Sequence, residues 1–442
     1  MFEVLRHGGS RLMLAAGVVL LALLAGCAAK DTSNKTVVRF CFWGNFRDLS
    51  MWKTIAANFE RANPDIKLKL EYITGDYGRK LPLMLVSGTA SDIILMDDEY
   101  HPGFAARGYL EDLAPYIERD RAELRIDEFF PTSMESFNYR GFQGGLPWDG
   151  GAMLIYFNKD LFDEAGIPYP TDNWTWDDFR EISKKLTVDK DRDGRIDQYG
   201  TNLLSGSLLT TEPMVWCFGA EVLNEDKSKF AMNSRKGVEA FQYITDLKWV
   251  DHSIAWAGEG DDVGTEAQLL TGRVGMVVAG TYMMLTLDGV KDGMRWGTAA
   301  MPRGPYGDRY TRVSWDGISI NARTPYKEQA WRFIKFLLSD ESQAEVGRSG
   351  RNLPIRPREA LKYFMNAETN EDARRAIDAV QYGKLTPITP KYLEVDQATR
   401  PLMERMSLGK ISPKDALKEM EINVNEVLVK ELAKWGREKK KH

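Results

Sequence analysis

An α/β fold built on a parallel sheet is predicted for this chain, from three observations. Between residues 37 and 96, strand-like apolar runs alternate with segments of helical periodicity. Strand-helix-strand-helix-strand at this spacing implies parallel strands joined by right-handed crossovers. Of the 442 residues 43% are hydrophobic, and 12 Trp, 17 Tyr and 19 Phe run throughout, so large cores can form and disorder is excluded. At this length roughly two or three domains are expected.

The elements follow in order. Val37–Phe42 is a short apolar run that reads as a buried strand. Trp52, Ile55, Ala56 and Phe59 recur at helical spacing, and Asn63-Pro64 ends that helix. Ile66, Leu68, Leu70 and Tyr72 alternate as a half-exposed strand. A second helix fits Gly78–Ser87, closed by Gly88, and Asp92–Met96 is a third strand. Gly144–Asp149 is a turn-rich stop before the strand Ala152–Phe157. Thr175, with Asp178 three residues later, caps a helix over Trp176–Leu186. Ser234 fronts another to about Val250. Gly275–Ala279 is a buried strand, Ala330–Leu338 a helix, and the tail after Pro413 one long amphipathic helix. Trp52, Trp249 and Trp331 sit at helical spacing and are assigned to core.

Charge and motif content exclude several classes. Lys and Arg number 59 against 64 Asp and Glu, a net charge of −5, which leaves no basic excess for nucleic acid. Four His (His7, His101, His252, His442) lie far apart without zinc spacing. No phosphate-binding loop, nucleophile elbow or dinucleotide fingerprint is present. Three Cys are too few for a disulfide scaffold, and Cys41 and Cys217 lie in apolar stretches that predict burial over pairing.

The amino end is a localisation signal. Arg6 and Arg11 precede the apolar run LMLAAGVVLLALLAGC, which is too short and too abruptly ended for a membrane span. Leu24-Ala25-Gly26-Cys27 looks like a bacterial lipobox, so residues 1–26 are expected to be removed and Cys27 to be lipidated. Acyl chains there anchor the protein extracytoplasmically without a transmembrane helix. Residues 27–36 read as a polar tether.

One local motif points to a metal. Asp189-Lys190-Asp191-Arg192-Asp193-Gly194-Arg195-Ile196-Asp197 matches a calcium-binding EF-hand loop at positions one, three, five, six, eight and nine. Carboxylates on alternate residues of a tight turn can converge on Ca²⁺, with Arg195 supplying its backbone carbonyl. Gly200 stands at the twelfth position, where the motif has a bidentate Glu, so another oxygen has to complete the shell.

Ligand candidates stand where strands end or loops are polar, because open sheets of this kind bind ligands beyond the carboxyl ends of their strands. Those positions are Trp43, Asn45, Asp97, Glu99, Trp148, Asp149, Trp216, Tyr282, Trp315, Asp316 and Arg351. Flat aromatics with planar polar groups suit sugars, which present apolar faces and hydroxyl rims. A glycoside hydrolase would need similar aromatics and two carboxylates, a pair that Asp97, Asp98 and Glu99 could imitate. An anchored adhesion module is a further alternative.

Four stretches carry a resemblance over nearly the whole mature chain. They are YGRKLPLMLVSGTASDIILMDD, GGLPWDGGAMLIYFNKDLFDEAGIPYPTDNWTWDDF, TGRVGMVVAGTYM, and AWRFIKFLLSDESQ followed by NLPIRP. In this order they resemble the extracellular solute-binding proteins of carbohydrate ABC importers, the group that includes maltose-binding protein. Thr281-Tyr282 departs from the Trp usual there. The resemblance implies a non-enzymatic, monomeric, two-lobe periplasmic-binding-protein fold of type II, with a hinge and an interlobe ligand cleft. Its partners would be a carbohydrate and ABC permease subunits. By analogy lobe one comprises 37–149 and 294–338, and lobe two 150–293 and 339–442.

Overall fold

The computed structural model describes residues 35–203, 208–255, 264–290, 293–387 and 389–438. The expected signal segment, Cys27 and most of the tether therefore lie outside the described residues. Strands β1 (Thr36–Phe42), β2 (Ile66–Tyr72) and β3 (Ile93–Asp97) pair in parallel in the order β2-β1-β3. Between them run helices Phe46–Ala62 and Tyr77–Ser87. The first starts before its apolar stripe, because the Asn45 side chain accepts from the amides of Arg47 and Asp48 while Asp48 returns a bond to the Asn45 amide. The second closes on Gly88, whose φ of 73° is the left-handed conformation glycine adopts without strain.

After the hairpin β4 (Asn138–Tyr139) and β5 (Phe142–Gln143) comes β6 (Leu146–Asn158), a strand of 13 residues. The expected stop at Gly144–Asp149 is corrected: Leu146–Asp149 already belongs to β6, buried on both faces. Its first half pairs antiparallel with β10 (Thr311–Ile320). Its second half pairs antiparallel with β8 (Val274–Gly280) and β9 (Trp296–Ala299). β7 (Tyr199–Thr201) lies parallel to β8, while β11 (Leu353–Pro354) and β12 (Gly383–Leu385) flank β6 and β10. The expected parallel pairing holds for the first three strands, and beyond them the sheet is mixed. β10 runs antiparallel to both β3 and β6, so ten strands join in the order β2-β1-β3-β10-β6-β8-β7, with β9, β11 and β12 to the side.

Two cores flank this shared strand. One holds Phe40, Trp52, Ile94, Trp315 and Trp331, the other Ile155, Trp176, Phe241, Met276 and Leu428. The helix Pro413–Glu438 packs in the second core against Arg235–Trp249 and Tyr392–Ser407. Ala299 and Met301 bury in the second core, because β9 pairs with the far half of β6. Val346, Leu353, Phe364 and Ala376 bury with the first, because β11 pairs with its near half. Trp52 and Trp331 are fully buried, but Trp249 is 48% exposed at the end of its helix, correcting its assignment to core. Cys41 and Cys217 are both buried and free. No helix among the described residues is long and apolar enough to cross a membrane.

Candidate functional site

A cavity of about 330 Å³ opens over β6, between the segments that end β1 and β3 and the segment that follows β8. From the first side it is lined by Trp43 and Asn45, which follow β1, and by Asp97, at the end of β3. Asp316 on β10 and Arg351 complete that wall. Opposite stand Gly280, which ends β8, Thr281 and Tyr282, which follow it, and Leu285 on the short helix after them. Six sequence-derived candidates thus share one cavity: Trp43, Asn45, Asp97, Tyr282, Asp316 and Arg351. Tyr282, 51% exposed, offers an open aromatic face.

The other candidates stand elsewhere. Trp148 and Trp315 are wholly buried, which corrects their expected role as plates. Trp148 stacks on Trp52 at 4.4 Å between ring centroids, and Trp315 packs 5.4 Å from Phe130. Both occupy inward-facing positions of long strands, where alternation turns the ring to the core whatever glycines adjoin it. Trp216 is likewise 1% exposed and faces a separate cavity of about 430 Å³, so its placement in the cleft is corrected. Asp149 lies beneath the cavity floor, and Glu99 points to a different groove beside Tyr100 and Tyr392. These two carboxylates contact arginines instead of the cavity.

Two buried guanidiniums organise the floor. Arg351 donates from Nε to Asp149 at 2.9 Å, from Nη1 to Asp48 at 3.1 Å and from Nη2 to Asp316. Its Cζ lies 5.9 Å from the ring centroids of both Trp43 and Trp148. Arg312, on β10, donates from Nη2 to Glu99 at 2.6 Å and from Nε to Thr386 at 2.9 Å. Asp98 and Glu212 stand 3.9 and 4.0 Å away, and Glu212 accepts from the Thr386 hydroxyl at 2.6 Å. Burial pushes the Glu212 carboxyl up to about 7 despite Arg312. Burial, followed by the charge of a neighbouring Asp, also holds Asp98, Glu99 and Asp316 above the usual carboxylate range.

Several of these groups escaped the sequence reading. Asp48 is masked as a helix-capping residue, and Arg312 as one polar position in an alternating strand. Glu212 is legible only as a lone acid in the apolar stretch LLTTEPMVWC. Thr281 binds the backbone of Ala152 through its hydroxyl and fits against Gly151, where a Cβ would collide with it.

At the loop 189–197, carboxylate oxygens of Asp189, Asp191 and Asp197 all lie within 4.8 Å of one another. Asp193 and Arg195 stand outside this group. Asp189 accepts from the amides of Arg192 and Gly194, and Asp193 from that of Arg195, so the loop is closed by its own acids.

A cavity walled by strand ends, with aromatic faces and hydrogen-bonding side chains, suits capture and release of a solute. Comparisons agree. A binding protein of Brucella abortus (strain 2308) is 26% identical over 426 residues, 94% of this chain and 98% of that protein. A lactose-binding protein of Rhizobium radiobacter is 25% identical over 296 residues, 66% of each chain. Among solved structures, an ABC substrate-binding protein of Listeria monocytogenes in complex with cycloalternan superposes with a TM-score of 0.80. It is 24% identical, and the match covers 89% of this chain and 99% of that one, so the two-lobe binding-protein fold is shared. The sequence profile of the bacterial extracellular solute-binding proteins matches residues 43–344, and the chain belongs to that family.

Proposed function

We propose that the chain captures a carbohydrate in the interlobe cavity and delivers it to an ABC permease. The observation that carries this reading is the pairing of open aromatic faces, Trp43 and Tyr282, with hydroxyl-binding side chains in one cavity. Aromatic faces match the C–H faces of a sugar ring, while Asn45, Asp97 and Asp316 match its hydroxyls. Because one cavity wall comes from the ends of β1 and β3 and the other from the segment after β8, a bound sugar would bridge them and favour the closed form that a permease reads. A thermal-shift screen over mono- and oligosaccharides tests the reading: ligand at 100 times its Kd adds about 2.7 kcal/mol of stability. The sugar is recovered unchanged. A screen without any stabilising sugar, or hydrolysis of the one that stabilises, overturns it.

The lipobox supports anchoring: Cys27 carries the acyl chains, and the protein works as a monomer on the outer face of a membrane. Replacing Cys27 by Ala releases the protein, and unchanged membrane fractionation refutes the anchor. The convergence of Asp189, Asp191 and Asp197 supports a structural Ca²⁺ in the loop that follows helix Trp176–Lys185. The ion would pin that connection and take no part in sugar contact. Titration of chelator-treated protein with Ca²⁺ shows one site, lost in Asp191→Ala; no heat from the parent protein contradicts it.

A further inference from the structure

Recognition of neutral hydroxyls leaves one property of the cavity unexplained. Asp97 on β3, Asp316 on β10 and Asp149 on β6 are register partners across three adjacent strands, Asp316 standing opposite each of the others. Paired residues share a face of the sheet, and like charges directly opposite one another destabilise it. Asp48 joins the row from the helix beside it, through Arg351. That arginine reaches Asp48, Asp149 and Asp316 but not Asp97. Among the described residues no ion pair reaches Asp97, although it lines the cavity. On its other side Arg312 is engaged by Glu99, Asp98 and Glu212. Asp98 Oδ1 and Asp149 Oδ1 are buried without a hydrogen-bond partner.

Both guanidiniums that face the cavity are therefore committed to protein carboxylates. A uronate or a sugar phosphate would have to break one of these pairs or lie unpaired beside Asp97. A positive charge on the solute would instead supply the counter-ion that the row lacks. The aromatic rings at the same cavity, Trp43 and Tyr282, also attract cations to their faces.

We propose that the cleft selects its solute by charge and takes an amino-bearing carbohydrate, its ammonium seated against Asp97 and Asp316 at the open end of the aspartate row. The proposal rests on the carbohydrate reading above and deepens it. Burial and the adjacent Asp149 charge raise the Asp316 carboxyl, a direction that a cationic partner opposes.

The test is calorimetric titration of the full chain with two matched sets. One is chitosan disaccharide, its N-acetylated counterpart, cellobiose and cellobiouronic acid. The other is galactosamine, N-acetylgalactosamine, galactose and galacturonic acid. In at least one set the free amine binds about tenfold or more tighter than its neutral parent, as one charge-assisted hydrogen bond gives, and the acid binds weakest. Asp97→Asn removes the difference between amine and parent. Neutral sugars binding as tightly as their amines overturn the charge proposal and leave carbohydrate capture standing. An acid that binds tightest, or an amine advantage that persists in Asp97→Asn, overturns it as well. Absence of binding by every sugar overturns both readings. The comparison among sugars on the parent protein does not depend on the variant folding.

Discussion

Arg351 shows at the scale of one residue how the site is held. It is 8% exposed and is the shared counter-ion of three aspartates from a helix and two strands. Removing one partner of a buried pair leaves the other charges uncompensated, at a cost of about 3–5 kcal/mol. Arg351→Met is therefore expected to lower thermal stability strongly and abolish ligand binding; a native-like unfolding midpoint would refute the network. The two tryptophans on either side of this arginine should respond differently. Trp148→Ala cavitates the core and costs about 3–5 kcal/mol of stability. Trp43→Ala, half-buried at the cavity wall, should weaken sugar binding with little change in midpoint. Denaturant unfolding and titration on both variants check this contrast, and equal stability losses would count against it. The sequence reveals Trp43 and Tyr282 because each stands within two residues of a strand end, where a side chain leaves the pleat. Trp148 and Trp315 mislead because a glycine neighbour looks like a loop, whereas here glycines let strands pack closely.

Among the elements, β6 matters most. It carries Asp149 on its near half, pairs with β10 there and with β8 and β9 beyond, and lines the cavity at Gly151 and Ala152. At Gly150 an added Cβ would collide with the Ser314 carbonyl and the Trp315 backbone, atoms that a side-chain rotation cannot move. Gly150→Ala is expected to destabilise the protein by about 1–3 kcal/mol through this overpacking. Chemical unfolding checks it, and an unchanged midpoint would show that β6 and β10 can separate freely. The local rules of capping and periodicity were legible here: Asn63, Gly88, Thr175 and Ser234 end or begin helices where expected. Strand direction was not, since β10 lies more than 200 residues from β3 in sequence, and no local pattern reports which neighbour a strand will choose. For the same reason Asp97, Asp149 and Asp316 could be named singly but not seen as a row.

For the whole molecule, buried acids at the junction of the cores make stability depend on pH. Glu212 has an ordinary value of 4.5 and is raised to about 7 in the folded protein, chiefly by burial. The folded state then holds more protons than the unfolded one between those values. The contribution of Glu212 is fully present below 4.5 and lost as pH rises through about 7. Asp98, Glu99 and Asp316 shift in the same direction. Glu71 acts oppositely: against burial, Arg39, Ser91 and Lys69 hold it down to about 2, so its contribution is lost only as pH falls through that value. The ligand-free protein should therefore melt at a higher temperature near pH 5.5 than near pH 8, roughly the span of the raised groups. Differential scanning calorimetry reads this, and a midpoint that rises with pH would contradict it.

Capture of a carbohydrate in this cavity is tested most directly by titrating the stabilising sugar of the screen into the parent protein and into Trp43→Ala/Tyr282→Ala. Both rings belong to the cavity and neither to a core interior, so the variant keeps its fold. The account predicts one sugar per chain for the parent and a loss of affinity of about tenfold or more in the variant, its midpoint without ligand nearly unchanged. Equal affinity in the two proteins would place the sugar elsewhere and contradict the account.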